Sequence, residues 1–476
     1  MNPPADFHIL TIGWIEDIGD LIARRSGIRF SYIAHPRYTG DSPGPRHEAP
    51  TYFVRERLRQ PLPEPDLALL ASLEREGVPT VQTMILSDRV VSKIAHRDAL
   101  SYATLLARRF SELFTQLAPS VVIASFDGLH SAIALGVARK MGFPWFAMNF
   151  SVIPPGLTCL CDAMSPNARV HIHAPDRAQV RAFAEQVLSN FENRAVRVPA
   201  HITPPGLSLA AALKKLPARV KTALDTFARA KDREFLQVTE DVTDLSVGAA
   251  MHGLARARAA RKAVQATRMI AEPPKAPYLF FGLHTQPESS IDVWAPFYAN
   301  QLSVLEALVR AMPVSHRLLV KIHKSDAVNY SAKELARMQA LPGLDLVLPF
   351  ADSRRFVDQA DMIISIQGTM GLEAALLGKP VIMLGDSPVV KFPSAARIGE
   401  LSELPALIRR MLERKPPARS AILDAYTDYL SPFLPAVHND WTVRKTDAEI
   451  DKLVVFFRTL QEYMSMQPAR RKHGAG

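Results

Sequence analysis

The stretch Ser365-Ile-Gln-Gly-Thr-Met-Gly-Leu-Glu373 carries residue types that hold an anion through the backbone. The apolar run Met362–Ile366 predicts a buried strand, Gly368 makes a turn, and Thr369 is placed to cap a helix whose first N–H groups point at the strand's carboxyl end. Those N–H groups lack intrahelical acceptors and carry partial positive charge, so they suit a phosphate. Glu373 falls one turn later, within reach of a ribose or sugar hydroxyl. The same residues fit a second reading without a ligand, in which Gly368 and Gly371 allow tight helix-on-sheet packing and Glu373 is an anion favoured near a helix N-terminus.

A second group lies in Leu318-Leu-Val-Lys-Ile-His-Lys-Ser. Lys321 and His323 share one face at a strand's end, and Lys324 and Ser325 open the next loop. Carboxyl ends of parallel strands are where open α/β sheets bind ligands. An imidazole and two ammonium groups there can stabilise a leaving phosphate as charge develops on it, although a lone histidine so placed is also a common structural residue. A third group follows the strand at 278–283, where His284, Gln286 and Glu288 enter a polar loop; Glu288, Ser289 and Ser290 can instead cap a turn. Nearer the N-terminus, Ser125-Phe-Asp-Gly-Leu-His places Asp127 and His130 at a strand-to-helix junction, and Trp14-Ile-Glu-Asp places Glu16 and Asp17 at another. One of these can take the proton of an acceptor hydroxyl. Asp127 can equally be only a helix cap.

The elements that must position these groups alternate regularly in the C-terminal half. Strands are expected at Tyr278–Leu283, Arg317–Ile322, Leu344–Leu348, Met362–Ile366 and Val381–Leu384, separated by helices at about 294–312, 331–340, 353–360, 369–377 and 403–412. Runs such as Met362-Ile-Ile are apolar on successive residues, which predicts a parallel sheet covered on both faces. The first half repeats the pattern less regularly, with strands at Phe7–Gly13, Ile28–Ala34, Val81–Leu86, Val121–Phe126 and Trp145–Asn149 and helices at about 97–117 and 129–141. The expected class is α/β: two Rossmann-like domains facing a cleft, with an inserted helical segment. The boundaries drawn are 1–200, a helical basic insertion at 201–272, 273–430, and a C-terminal helix with a basic tail at 431–476. The insertion gathers Lys214, Lys215, Arg219, Lys221, Arg256, Arg258, Arg261 and Lys262, either as a solvated helical hairpin or as a face for membrane phosphates or an anionic acceptor. His35–Pro50, with four prolines, is expected to be a loop.

Composition narrows the class. The chain has 476 residues, 48% hydrophobic and 22% charged, which suits two or three globular domains and excludes wholesale disorder. The formal charge of +10 favours acidic partners without choosing among them. Met-Asn-Pro-Pro-Ala-Asp does not read as a secretory signal, and no stretch approaches about 18 uninterrupted apolar residues, so a cytoplasmic location is expected. Cys159 and Cys161, a C-x-C without a second Cys/His cluster, read as reduced structural thiols. A P-loop and a Gly-x-Ser-x-Gly elbow are both absent from the sequence.

The order Leu283-His-Thr-Gln-Pro-Glu-Ser-Ser, Asn300-Gln, Arg317-Leu-Leu-Val-Lys-Ile-His, then Gln367-Gly-Thr-Met-Gly-Leu-Glu-Ala-Ala-Leu-Leu-Gly-Lys-Pro-Val resembles the capsule polysaccharide biosynthesis family. That family includes Kdo transferases using a CMP-sugar, and its members resemble GT-B glycosyltransferases. The resemblance is strongest over about 278–390. It implies that His323 contacts the nucleotide, that Gln367, Gly368 and Thr369 surround its phosphate, and that Glu288 belongs to the sugar-binding or catalytic loop. The chain departs from the family in having His323-Lys324 where His-Pro is usual and Ser289 where an acid is common.

The function expected is transfer of a sugar from a nucleotide-sugar donor, CMP-Kdo-like or a UDP-sugar, to a capsule, other surface-polysaccharide or glycolipid acceptor. The donor is expected on His284, Gln286, Lys321, His323, Lys324, Gln367, Gly368, Thr369, Gly371 and Glu373, with Asp127, His130 or Glu288 catalytic. No metal, cofactor or nucleic acid is expected, and an anionic membrane surface is the expected place of work. Two other readings stand beside it: a nucleotide-sugar 2-epimerase, which needs no acceptor, and a non-catalytic polysaccharide-binding partner of an export system.

Overall fold

The computed structural model describes residues 7–12, 19–33, 62–88, 91–126, 128–195, 258–260, 262–286, 288–324, 330–436 and 446–467. Glu16, Asp17, Asp127, Ser325, the loop at 35–50, the basic tail and most of the basic insertion, including Lys214, Lys215, Arg219 and Lys221, lie outside the described residues.

The described chain forms two compact units, one holding the residues up to Asp176 and again from Ser431, the other those from Arg177 to Leu430. The helix Arg177–Glu192, which a boundary at 200 assigns to the first domain, packs in the second unit, where Arg177 and Arg181 pair with Asp428 and Asp424 and Arg419 pairs with Glu185 and Glu192.

In the first unit the strands are β1 (His8–Ile12), β2 (Arg29–Ile33), β3 (Val121–Ala124), β4 (Trp145–Phe150), β5 (Leu157–Cys161), β6 (Arg169–Val170) and, from the far end of the chain, β13 (Leu434–Pro435). The sheet order is β13-β5-β4-β3-β1-β2, with β6 on β5. β1 to β4 pair in parallel, and β5 returns antiparallel to β4. Every residue of β1 and β3 is buried, as strands covered on both faces must be. The helix Asp447–Met466 closes one face: Phe457 meets Phe30 edge-on at 5.3 Å between ring centroids.

The expected strand Val81–Leu86 is instead a helix, Val81–Ser87. Its buried residues, Val81, Met84 and Ile85, recur at i, i+3 and i+4, which is one helical face and not an alternation. Thr80 caps it by accepting from the Thr83 N–H, and Glu74 accepts from the Val81 N–H at 2.8 Å.

The second unit carries β7 (Tyr278–Gly282), β8 (Arg317–Lys321), β9 (Leu344–Val347), β10 (Met362–Ser365), β11 (Val381–Met383) and β12 (Ala395–Arg397), all parallel, in the order β12-β11-β10-β7-β8-β9. Numbered from β7, this is the Rossmann order 3-2-1-4-5-6, which reverses between β7 and β10. β12 was not expected. The helix expected over 294–312 starts only at Gln301, because Pro296 opens a short separate 3-10 turn, Pro296–Tyr298, and Asn300 caps a new helix, Gln301–Ala311, accepting from the Ser303 N–H.

Candidate functional site

In a parallel sheet the crevice for a ligand opens at the carboxyl ends of the two strands between which the order reverses. Here those strands are β7 and β10. β10 ends in Ser365 and leads through Ile366 and Gln367 to the helix Thr369–Leu376. The N-cap is Gly368, in extended conformation, and no side chain caps the helix; Thr369 is its first residue and exposed, so the expectation that Thr369 caps it is corrected.

The amides of this turn are only partly committed. The Gln367 N–H donates to His284 Nε2 at 3.1 Å, the Gly368 N–H to Ser365 Oγ at 3.0 Å, and the Gly371 N–H to the Gly368 carbonyl at 3.0 Å. Among the described residues, the Thr369 and Met370 N–H groups meet no protein acceptor. A Cβ on Gly368 would stand 3.2 Å from both His284 Nε2 and Ser365 Oγ, so glycine here admits the imidazole. A Cβ on Gly371 would stand 2.7 Å from Met383 Sδ of β11, so that glycine serves helix-on-sheet packing.

From β7 comes His284, only 6% exposed. Its ring accepts from Gln367, and burial, reinforced by nearby His323, pushes its pKa down to about 4. The neutral ring therefore carries its proton on Nδ1, which makes no well-formed hydrogen bond and meets only a weak helping interaction from the Gly282 carbonyl. Gln301, first residue of its helix, holds this segment as a neighbouring strand would: it accepts from the His284 N–H at 2.7 Å, donates to the His284 carbonyl at 2.9 Å, and donates to Gln286 Oε1 at 3.0 Å. Gln286 in turn donates to Asp292, whose other oxygen accepts from the Glu288 N–H at 2.9 Å. Gln286 thus acts inside the loop, and Asp292 accepts from the Glu288 N–H where Glu288 itself makes no side-chain cap to the helix Ser289–Asp292.

From β8 comes His323, half-buried, with Nδ1 2.9 Å from Thr285 Oγ1. Burial first, then Lys321 and Lys324, lowers its pKa. Lys321 is 7% exposed and donates to the Pro349 carbonyl at 2.7 Å, so its ammonium is already engaged; burial takes its pKa down to about 8. Lys324 is half-buried at the start of the following turn. Glu373, 9% exposed on the helix Thr369–Leu376, has its carboxyl raised to about 7, chiefly by burial.

The structure thus brings His284, His323, Gln367, Gly368 and Thr369 to the ends of three adjacent strands, with Lys321 and Glu373 buried beneath. Gln301, Thr285 and Ser365 complete the arrangement and were missed as site residues. The one sequence signal for Gln301 is its place directly after the capping Asn300.

The first unit reverses its order between β1 and β3. There Asp88 closes the entrance of the helix Gly128–Met141: its Oδ2 accepts from the Leu129 N–H at 2.7 Å and its Oδ1 from the Val91 N–H at 2.8 Å. His130 lies half-buried in the helix's first turn, and Ser125 and Ser131 share a hydrogen bond of 3.2 Å. Cys159 and Cys161 are free and buried. Among the described residues no His, Cys, Asp and Glu side chains gather in a metal-holding group, and no helix is long and apolar enough to cross a membrane.

Residues 236–394, a third of the chain, match the family described as capsule polysaccharide biosynthesis protein. No curated protein matches the sequence. Solved structures similar to the chain include a Thermosulfurimonas dismutans KpsC β-Kdo 2,7 transferase, at 12% identity over 74% of this chain and 89% of that one, with a TM-score of 0.34. They also include the UDP-GlcNAc 2-epimerases of Methanocaldococcus jannaschii, at 13% identity over 90% and 99% with a TM-score of 0.30, and of Neisseria meningitidis, at 11% over 89% and 98% with a TM-score of 0.29. Likenesses this remote add nothing to the strand orders given above.

Proposed function

We propose, with the capsule polysaccharide biosynthesis match over the second unit as premise, that the chain is a glycosyltransferase moving a sugar from a nucleotide-sugar donor to a capsule, other surface-polysaccharide or glycolipid acceptor. The observation that carries the reading is the pair of uncapped amides, Thr369 and Met370, at the point where a parallel sheet reverses, with two imidazoles at the neighbouring strand ends.

In this reading the donor's phosphate lies on those amides and on the Thr369 hydroxyl, with His323 and Lys324 beside it. Charge that builds on the phosphate as the glycosidic bond breaks is met by donors already in place, which lowers the barrier without reorganisation. Lys321, engaged with Pro349, contributes its field and not a direct contact. Glu373 accepts from a ribose or sugar hydroxyl. Asp127 or His130 takes the acceptor's proton, and Glu288 contacts the sugar. Amides, imidazole and ammonium do the charge stabilisation, so the reading invokes no metal. The work is placed at the cytoplasmic face of a membrane, with the cations of 214–221 on anionic lipid.

The test is a thermal-shift screen of the full chain against CMP, UDP, GDP and their sugars, since a ligand bound only by the native state raises the melting temperature. Stabilisation by one nucleotide, reduced in His323→Ala and Thr369→Ala, is expected; no stabilisation by any nucleotide overturns the reading. Turnover of a nucleotide-sugar without acceptor would replace transfer with epimerisation. Equal sedimentation with anionic vesicles before and after removal of the 214–221 cations would end the membrane proposal.

A further inference from the structure

We infer that one helix layer of the second unit, made by the helices Gln301–Ala311, Ala332–Gln339 and Leu404–Leu412 with the helical residues at 258–260 and 262–266, docks on an anionic lipid surface. The inference deepens the membrane part of the proposed function and rests on that reading for what the docking serves. The surface itself is read from exposure and ion pairing.

The second sheet is covered by two helix layers. Val304, Leu308, Leu335, Met338, Leu407 and Ile408 share one core with Leu279 and Phe281 of β7. Phe280, between those two strand residues, points to the opposite side and stacks on Phe356 of the helix Ser353–Gln359 with 5.4 Å between ring centroids. On that side follow the helices Thr369–Leu376, Arg419–Leu430 and Arg177–Glu192, each packed on the one before.

In the layer built on Phe280 every arginine of the helices meets a carboxylate: Arg177 meets Asp428, Arg181 Asp424, Arg354 Asp358, Arg355 Glu272, and Arg419 both Glu185 and Glu192. The other layer is different. Arg258, Lys262, Arg268, Lys333, Arg409 and Arg410 are exposed there, and among the described residues none of them is paired with a carboxylate. Two acids of that layer are committed elsewhere, Glu306 to Arg337 and Glu334 to the N-cap of its own helix. Its elements lie side by side: Leu404–Leu412 packs on Gln301–Ala311, Arg337 reaches Glu306, and Gln339 donates to the Arg268 carbonyl at 2.8 Å. With about 10 Å between helix axes, the uncompensated charge spreads over a face about 30 Å wide. That is the width of several lipid head groups and far more than one phosphate needs. A field of this extent attracts an anionic surface.

An aromatic ring at the rim favours lipid over a dissolved polyanion. Phe297 is 93% exposed, in the turn Pro296–Tyr298 that precedes the helix Gln301–Ala311. Tyr298 beside it packs against the core of the cationic layer. A Cβ on Gly385 would stand 3.0 Å from the Ala295 Cβ and 3.1 Å from the Gln367 Cγ, so this turn also borders the crevice. A ring in water beside cations gains by entering the boundary between head groups and acyl chains, and a polysaccharide offers no such boundary. Docking through this layer brings the crevice to the lipid, where a glycolipid acceptor is held.

The test is sedimentation of the full chain with vesicles of phosphatidylcholine alone and of phosphatidylcholine with phosphatidylglycerol. Wild type is compared with the triple variant Lys333→Gln, Arg409→Gln, Arg410→Gln and with Phe297→Ser. The three cations are exposed and unpaired, so the urea midpoint and nucleotide stabilisation should not change. Wild type is expected on the anionic vesicles only, and the triple variant should bind them about a hundredfold more weakly at low salt. Phe297→Ser should lose about fivefold, and should do so even at high salt, where charge is screened. Undiminished binding of the triple variant, with loss on removal of the 214–221 cations, overturns this surface and leaves the membrane placement standing. Wild type that binds no anionic vesicle overturns both, and nucleotide stabilisation then judges the transferase reading alone. Release from vesicles by soluble alginate, with Phe297→Ser binding as wild type does, makes the partner an acidic polysaccharide and overturns the lipid proposal.

Discussion

The two sheets reverse the order of their parallel strands at corresponding places, between β1 and β3 in one unit and between β7 and β10 in the other, yet the helices that follow meet different partners. In the first unit the chain's own Asp88 occupies the helix entrance with one carboxylate oxygen, while its other oxygen accepts from Val91. In the second the helix Thr369–Leu376 starts on a glycine, without a side-chain cap. A helix N-terminus attracts an anion whether the anion is part of the protein or not. The fold supplies two such positions, and local sequence decides which is filled internally and which is left without a side-chain cap.

The largest effect should come from breaking the second entrance. Gln301→Ala removes three hydrogen bonds of a buried side chain and leaves the His284 backbone groups unsatisfied, at a cost of about 3 kcal/mol in urea unfolding, with loss of nucleotide stabilisation. A change below about 1 kcal/mol would mean that water replaces the amide and that His284 is positioned by other means.

Acid sensitivity sharpens the contrast next. His284, held neutral down to about 4 against an ordinary 6.5, contributes stability that is complete above pH 6.5 and lost as the pH falls toward 4. Glu373, held protonated up to about 7 against an ordinary 4.5, contributes stability that is complete below pH 4.5 and lost as the pH rises toward 7. Between 4.5 and 6.5 the two oppose each other. Glu373→Gln removes only the second, so stability of the variant relative to wild type should climb by about 2 kcal/mol across that window. A difference that stays constant with pH would show that Glu373 is not buried as a carboxylic acid.

Opening the first entrance is the converse experiment. Asp88→Ala strips the acceptor from Leu129 and Val91, which should cost about 1–2 kcal/mol, and sulfate should stabilise the variant more than it stabilises wild type. Equal sulfate response in both proteins would break the comparison, because Asp88 would then not be what stands in the anion's place. The smallest effect belongs to Thr369→Ala, which removes one exposed hydroxyl beside the two open amides and should weaken nucleotide binding about fivefold by calorimetry with the urea midpoint unchanged. Unchanged affinity would put the phosphate elsewhere.

Much of this was legible in the sequence for a local reason. β7 to β11 are short apolar runs with helices between them, and their periodicity carries both type and approximate limits. The strand, the glycine turn after Ile366 and the helix were readable as a strand-to-helix junction because they follow one another directly. What escaped was non-local. β5 pairs with β13 across most of the chain, and no local pattern announces that pairing. Gln301 reaches His284 from 17 residues away, and Asp88 reaches Leu129 from 41. Lys321 misled in the other direction: its charge suggests an exposed clamp, and its place on a strand between two others buries it against Pro349. Val81–Leu86 has the Val, Ile and Leu content of a strand, but its apolar residues Val81, Met84 and Ile85 keep the spacing of a helix, and the packing follows the spacing.

The return of the chain from Ser431 to the first unit has a consequence for the order in which the protein is made. A ribosome releases β1 and β2 early, but Phe456 and Phe457, which pack with Phe30 and Ile9 in one core, emerge only after the whole second sheet. The nascent first unit therefore waits, with an apolar face wet and one sheet edge unpaired, while its neighbour is synthesised. A chain halted after Leu430 would fold its later half and leave its earlier half to chaperones.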